Sequence, residues 1–389
     1  MIMKKRQSFF KSRSLWIAIG FFAGIMGTSI YFFQNDSKKV TPEVSIELTK
    51  HPIYGRYEFS NSSKQIYFGT QPLYLPTGLI TETIKRDRLF ENALLKLGFK
   101  IEYYPYLKGS DVNFFLQSGK LDIGIGGDMP FISIASKSNV RSPLKIQEGF
   151  ISIVARRSML VSQLKSKKIG YALGSNAHYA LLNALKSENI NESDVTLMSL
   201  NVDQMPEALF KEDIDAFSAW EPTPALASKK YPGFVSIHKK LTTGYVYFQQ
   251  NIYDQNPEFI RVICTAILRA VIWIKDRKEN LLTASHWAKQ AAEKLTGQEF
   301  PLSVEEIASL ALKDVIGTHT LLMIKKESTA LNSNLHQEFV FLKKLKKIPA
   351  DIQWKQVQSS FDYQLIRELL RNSQKNGLRN FDYDISSRN

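Results

Sequence analysis

Cysteine is almost absent from this chain: Cys264 stands alone among 389 residues. No internal disulfide can form, and a zinc site built on several thiolates is excluded. Cys264 lies in the apolar stretch Arg261-Val262-Ile263-Cys264-Thr265-Ala266-Ile267-Leu268, where a thiol acts as a small buried hydrophobe. Acids are missing from residues 1–14, which carry Lys4, Lys5, Arg6, Lys11 and Arg13. Charge of either sign is missing from Leu15 to Phe33. There is no nucleic-acid-binding motif, and neither a Ser–His–Asp ordering nor a close Cys accompanies His178. Neither a nucleic-acid partner nor nucleophilic catalysis is expected.

Apolar residues make up 44% of the sequence and charged residues 23%, the balance of a folded chain. Its length allows two lobes, each with its own core. The formal net charge is +14. The basic flank supplies only five of those charges, so the rest of the chain is basic as well. Such a surface steers anionic ligands or lies against anionic lipid. Dispersed lysines such as Lys343-Lys344-Leu345-Lys346-Lys347 read equally well as a solvated face.

The uncharged run from Leu15 to Phe33 approaches the ~20 residues that a helix needs to cross a bilayer. Basic residues ahead of it keep that end cytoplasmic. It is longer than the apolar core of a signal peptide and ends in bulky Ile30-Tyr31-Phe32-Phe33; Gly27-Thr28-Ser29 offers only a weak cleavage site. We expect residues 1–14 as a cytoplasmic flank and 15–33 as a membrane signal anchor, with a cleaved signal peptide as the alternative. Polar residues 34–64 read as a linker.

Strands and helices then alternate, which implies an α/β fold. Strands are expected at Gln65–Gly69, Phe99–Pro105, Leu121–Gly127, Ile151–Ala155, Lys168–Leu173, Val195–Leu200, Asp215–Trp220 and Gly244–Gln249. Arg88–Leu97 repeats apolar residues at helical spacing and meets Gly98 as its C-cap. Further helices are expected to open at Gly109-Ser110 and Asp128-Met129-Pro130, at Ala177–Ser187 and Met205–Lys211, and in long amphipathic stretches after Pro257.

One turn stands out. Gly174-Ser175-Asn176-Ala177-His178 joins a strand end to a helix start. Free backbone N–H groups there, with short hydroxyl and amide donors beside them, suit an anion. An ordinary capped turn uses the same residue types. Asp215–Pro222 puts Trp220 at another strand end, as a pocket wall or a core aromatic.

In order, Thr70-Gln71-Pro72, Gly109-Ser110, Gly119–Gly124 with Gly127-Asp128-Met129-Pro130, Gly174–His178 and Asp213–Pro222 resemble the nitrate, sulfonate and taurine binding proteins of ABC importers. The resemblance covers about residues 65–370. It implies a two-lobed Venus-flytrap fold of the type II periplasmic-binding-protein class, with mixed sheets flanked by helices. Lobe I would hold 65–155 and 240–389, and lobe II 156–239. It also implies an extracytoplasmic component that captures a small anionic solute between the lobes and hands it to ABC permease subunits, without catalysis or cofactor. The N-terminal helix would hold it on the outer face of the inner membrane.

Carried over, Gln71, Gly109, Ser110, Gly127 and Asp128 would contact solute from the first lobe. Asp128 would cap a helix or hold a ligand amine. Gly174, Ser175, Asn176, Ala177 and His178 would meet the anionic head; His178 lies in the first helical turn, where the helix N-terminus disfavours positive charge and biases the ring to its neutral form. Trp220 would pack on the solute's carbon portion, and Glu221 would fix the turn. Asn176 departs from the small or hydroxyl residue usual there, as Phe217-Ser218-Ala219 departs from a more aromatic strand. The alternatives are a pyrimidine-precursor synthase on the same scaffold, or a membrane-anchored solute sensor.

Overall fold

A computed structural model describes residues 48–60, 64–313 and 322–386. The expected membrane anchor at 15–33 and most of the linker lie outside these. Among the described residues, no helix is long and apolar enough to cross a membrane. The chain divides into two compact units, one ending at Arg56 and one beginning at Tyr57. In the first, Tyr54–Arg56 forms a 3-10 turn and His51 stacks on Tyr54 at 4.1 Å.

The second unit is built on one eight-stranded sheet: β1 (Gln65–Thr70), β2 (Lys100–Pro105), β3 (Ile123–Gly127), β4 (Val140–Ala155), β5 (Lys168–Tyr171), β6 (Thr196–Ser199), β7 (Ala216–Trp220) and β8 (Val235–Gln249). Their spatial order is β2-β1-β3-β8-β4-β7-β5-β6. β1 runs parallel to β2 and β3, and β5 runs parallel to β6 and β7. Between these parallel groups lie β4 and β8, of 16 and 15 residues, paired antiparallel from Val140↔Gln249 to Ala155↔Val235. The end of β8 also pairs with β3, and the end of β4 with β7. Two long strands therefore join the halves of the sheet.

Fourteen helices accompany the strands among the described residues. They are α1 (Thr77–Ile84), α2 (Arg88–Leu97), α3 (Gly109–Gln117), α4 (Asp128–Ala135), α5 (Asn176–Ser187), α6 (Met205–Phe210) and α7 (Thr223–Lys230). The chain continues through α8 (Gln250–Gln255), α9 (Pro257–Asp276), α10 (Lys278–Thr296), α11 (Val304–Lys313), α12 (Asn334–Lys344), α13 (Trp354–Ser359) and α14 (Leu365–Arg371). α2 shows the local logic. The Asp87 carboxyl accepts from the Phe90 amide at 3.0 Å, Phe90 and Leu94 are buried, and Gly98 ends the helix at φ 77°.

Burial follows the two halves. Ile66 and Phe68 of β1, Ile123 and Ile125 of β3, and Val246 and Phe248 of β8 share a core with α1, α9 and α10. In the other half, successive residues of β4 point to opposite faces, as the pleat requires. Ile153 and Ala155 meet Ile169 and Leu181 on one face, while Val154 meets Leu209 and Phe217 on the other. Tyr57 and Phe59 pack on Tyr104 at 4.9 and 4.6 Å, so ordered contacts begin ahead of β1.

Candidate functional site

The site grows from the starts of α4 and α5. Gly174 has φ +75°, a conformation that strains any residue with a Cβ, and it turns the chain from β5 into α5. Ser175 caps α5: its hydroxyl accepts from the His178 amide at 3.2 Å and donates to the Ala172 carbonyl at 2.7 Å. Asn176, the first helical residue, reaches across to the other sheet half. Its amide donates to the Asp128 carboxyl and, at 2.6 Å, to the Thr242 hydroxyl on β8.

Asp128 opens α4 and is fully buried. Besides Asn176, it accepts from the Met129 amide at 2.9 Å, the Thr242 hydroxyl at 2.9 Å and the Thr243 amide at 3.1 Å. Burial raises its carboxyl above the usual range, and the donors and the Lys240 ammonium only partly offset this. Close approach is possible because Gly127 precedes it: a Cβ there would stand 3.0 Å from the Asn176 amide nitrogen.

Gln71 and Gly109 gather at the same end of β3. Gln71 is buried and donates to the Ile125 carbonyl at 2.5 Å. A Cβ on Gly109 would stand 3.0 Å from Pro130 and 3.3 Å from the Cα of Gly126. Ser110 is exposed, with its hydroxyl 3.2 Å from the Asp111 carboxyl. Ala177 is buried, and its carbonyl accepts from the Ser218 hydroxyl at 2.8 Å. Trp220 packs beside Ile151, Ala177 and Ala180, and Glu221 accepts from the Ala225 amide at 3.1 Å in the first turn of α7.

His178 is only 3% exposed. Its Nδ1 accepts from the Gly174 amide at 3.3 Å, which places the neutral ring's proton on Nε2. The imidazole lies 4.4 Å from the Tyr171 ring and 5.1 Å from Phe341. Burial, ahead of the nearby lysines, pushes its pKa down to about 4. The ring is thus held neutral mainly by packing.

Sequence reasoning missed Thr242, Thr243 and a second buried acid, Glu338 on α12. Glu338 is 1% exposed; one oxygen accepts from Asn334 at 2.9 Å, and the other has no hydrogen-bond partner among the described residues. Burial, reinforced by Asp128, raises it well above the ordinary range. Lys240 donates to Asn334 at 3.1 Å and stands 4.5 Å over the Tyr179 ring. One signal could have exposed Glu338: it falls on the helical stripe of Leu335, Phe339 and Leu342. Among the described residues, no group of three or more His, Cys, Asp and Glu could hold a metal. An open depression of about 580 Å³ lies elsewhere, lined by Leu121, Asp122, Gln249 and Asp254.

Comparison with known proteins bears on this arrangement. Residues 132–289 match the model of the NMT1-like family. A Bacillus subtilis (strain 168) protein named for binding aliphatic sulfonates is 27% identical over 223 residues, 55% of this chain. An Escherichia coli (strain K12) protein of the same name is 27% identical over 192 residues, 46% of this chain. The chain spans 66% of the first relative's length and 59% of the second's. The crystal structure of the periplasmic aliphatic sulphonate binding protein from Escherichia coli shares the fold, with a TM-score of 0.62 at 19% identity, covering 76% of this chain and 92% of that one. In the order of its glycine turns and strand ends, in its sulfonate-named relatives and in its fold, this chain is similar to the nitrate- and sulfonate-type periplasmic solute-binding proteins.

Proposed function

We propose that this chain is the extracytoplasmic solute-binding component of an ABC importer, without chemistry of its own, and that it captures a small anion of the sulfonate, taurine or nitrate class. One observation carries the reading: Asn176 at the start of α5 meets Asp128 at the start of α4 over Thr242 of β8. Two helix N-termini from opposite sheet halves thus converge on the long strands that join them. In this reading, residues 65–155 with 240–389 form one lobe and 156–239 the other, and β4 and β8 carry the hinge.

An anion would take the first-turn amides of Asn176 and Ala177, which the Ser175 cap leaves to other partners. It would draw the Asn176 side chain away from Asp128. Trp220 would meet the solute's carbon portion, with Gln71, Gly109, Ser110 and Gly127 on the opposite wall. Closure around a bound solute is the two-state element that a permease would read. The uncharged run 15–33 would tether the protein to the membrane near its permease.

A thermal-shift screen of taurine, ethanesulfonate, nitrate and bicarbonate on the full chain tests the reading. A solute at ~100 times its dissociation constant adds about 2.7 kcal/mol of stability. Silence across the panel would refute the anion class. Membrane fractionation with N-terminal sequencing tests the tether; a soluble product beginning after residue 27 would remove it.

A further inference from the structure

The two sheet halves are joined a second time, by a segment outside the sheet. Its ends fasten to the first half of β4 by backbone bridges, Leu144↔Met323 and Ser142↔Phe361. Around the second bridge, the Ser142 amide donates to Ser360 at 2.8 Å and the Asp362 amide to Ser142 at 2.9 Å. The Phe361 ring lies 4.9 Å from Phe131 of α4. Ser142, Leu144, Ser360 and Phe361 are buried, and this attachment runs through the backbone.

The middle of the segment, α12, crosses to the other half and holds it by side chains alone. Gln337 accepts from the Tyr179 hydroxyl at 3.1 Å. Phe341 stands 5.1 Å from the His178 ring and 5.2 Å from Tyr179. The Lys344–Glu192 pair, at 3.4 Å, joins side chains 73% and 54% exposed, so it adds little. Between the two grips sits Glu338, buried with one oxygen unpartnered. A buried polar atom without a partner destabilises the arrangement that buries it. The attachment is strong at one end, weak at the other, and strained at the centre.

We propose that residues 323–363 form an intramolecular latch: α12 fastens the start of α5 to the α4 half of the molecule, and its α5 grip releases to open the cleft. The consequence for solute entry rests on the binding reading above; the latch itself does not, because its contacts are all between residues of the chain. Release would return the Glu338 carboxyl to water, so Glu338 biases the latch towards opening, and the Phe341 and Gln337 contacts bias it towards closure.

Hydrogen exchange of the full-length protein without solute, read by mass spectrometry, tests this in two opposite directions. Phe341→Ala should raise exchange at least tenfold in peptides covering 174–185 and 334–347, with α9 and α10 unchanged. Glu338→Leu removes the unpartnered oxygen and keeps an apolar side chain on the buried stripe; it should slow exchange in the same two peptides. Unchanged exchange in both variants would overturn the latch. So would faster exchange in α5 and α12 of Glu338→Leu, because Glu338 would then be holding the latch shut. If Phe341→Ala loosens the whole molecule, Gln337→Ala repeats that arm, and unchanged exchange in its two peptides would overturn the proposal. Solute binding plays no part in these readings, so failure of the latch and failure of the binding role give different results.

Discussion

Removing the Asp128 side chain tests the junction between the sheet halves. In Asp128→Ala, the Met129 amide, the Thr243 amide and the Thr242 hydroxyl lose their side-chain acceptor, and the Asn176 amide keeps only its 2.6 Å contact with Thr242. Stranding a buried donor costs about 1–3 kcal/mol; four donors are affected, of which the Thr242 hydroxyl can rotate to another acceptor and the Asn176 amide keeps one. Relief of the carboxyl's own burial offsets part of this, leaving a loss of about 2–4 kcal/mol. Asp128→Asn keeps one acceptor oxygen but turns an NH₂ towards these donors, and should lose about 1–3 kcal/mol. Acid dependence adds a second test. Burial raises the folded carboxyl above its ordinary value, so the folded state binds its proton at higher pH than the unfolded state does. The contribution of this group therefore improves as pH falls through the raised value towards about 4, and is lost as pH rises through it. Urea denaturation at several pH values, followed by tryptophan fluorescence, measures both effects. A loss below about 0.5 kcal/mol in Asp128→Ala would refute the reasoning, since that is the range of an uninvolved surface position.

His178 predicts the opposite acid slope: its folded pKa is pushed down to about 4, so stability falls as pH drops from about 6.5 towards 4, by about 1–3 kcal/mol after allowance for partial solvent screening. Denaturation of His178→Phe at pH 7 and pH 5 should show that slope reduced while the ring contacts remain. Arg269 holds the Asp87 carboxyl at 2.6 and 2.7 Å, with side-chain exposures of 7% and 0%; Arg269→Met should lose about 3–5 kcal/mol in the same assay, because a buried acid is left without its cation. Cys264 is buried, and its thiol is pushed up by burial; a thiol reagent should label it only after denaturation, and fast labelling of the native protein would place it elsewhere.

Elements with a strong local signal were legible in the sequence. α2 was readable because its cap, apolar stripe and terminal glycine agree. β4 and β8 were legible only in part. The sequence marks Ile151–Ala155 and Gly244–Gln249, whereas the strands extend to Val140 and back to Val235. Pro143, Lys145, Gln147 and Glu148 interrupt the apolar run of β4; pairing with β8, through bulges, overrides local preference. α1 gave no helical period because all eight of its residues are buried. At the site, Asn176 and Asp128 were named as candidates, but their contact joins residues 48 positions apart. No local pattern encodes such a pairing. His178 was expected to be neutral because of the α5 start, yet burial beside Tyr171 and Phe341 is the larger cause. Glu338 was hidden for a related reason: a charged residue on an apolar stripe looks solvated until the partner surface is known.

Calorimetric titration of taurine, ethanesulfonate and nitrate into the wild-type chain and an Asn176→Ala variant tests the central claim most directly. The account predicts saturable one-to-one binding of at least one of these solutes to the wild type. It also predicts affinity weaker by about tenfold or more in the variant, which loses one hydrogen bond to a charged group worth about 1.5–3 kcal/mol. No binding by any of the three solutes to the wild type, or equal affinity in a cooperatively folded Asn176→Ala, would contradict it.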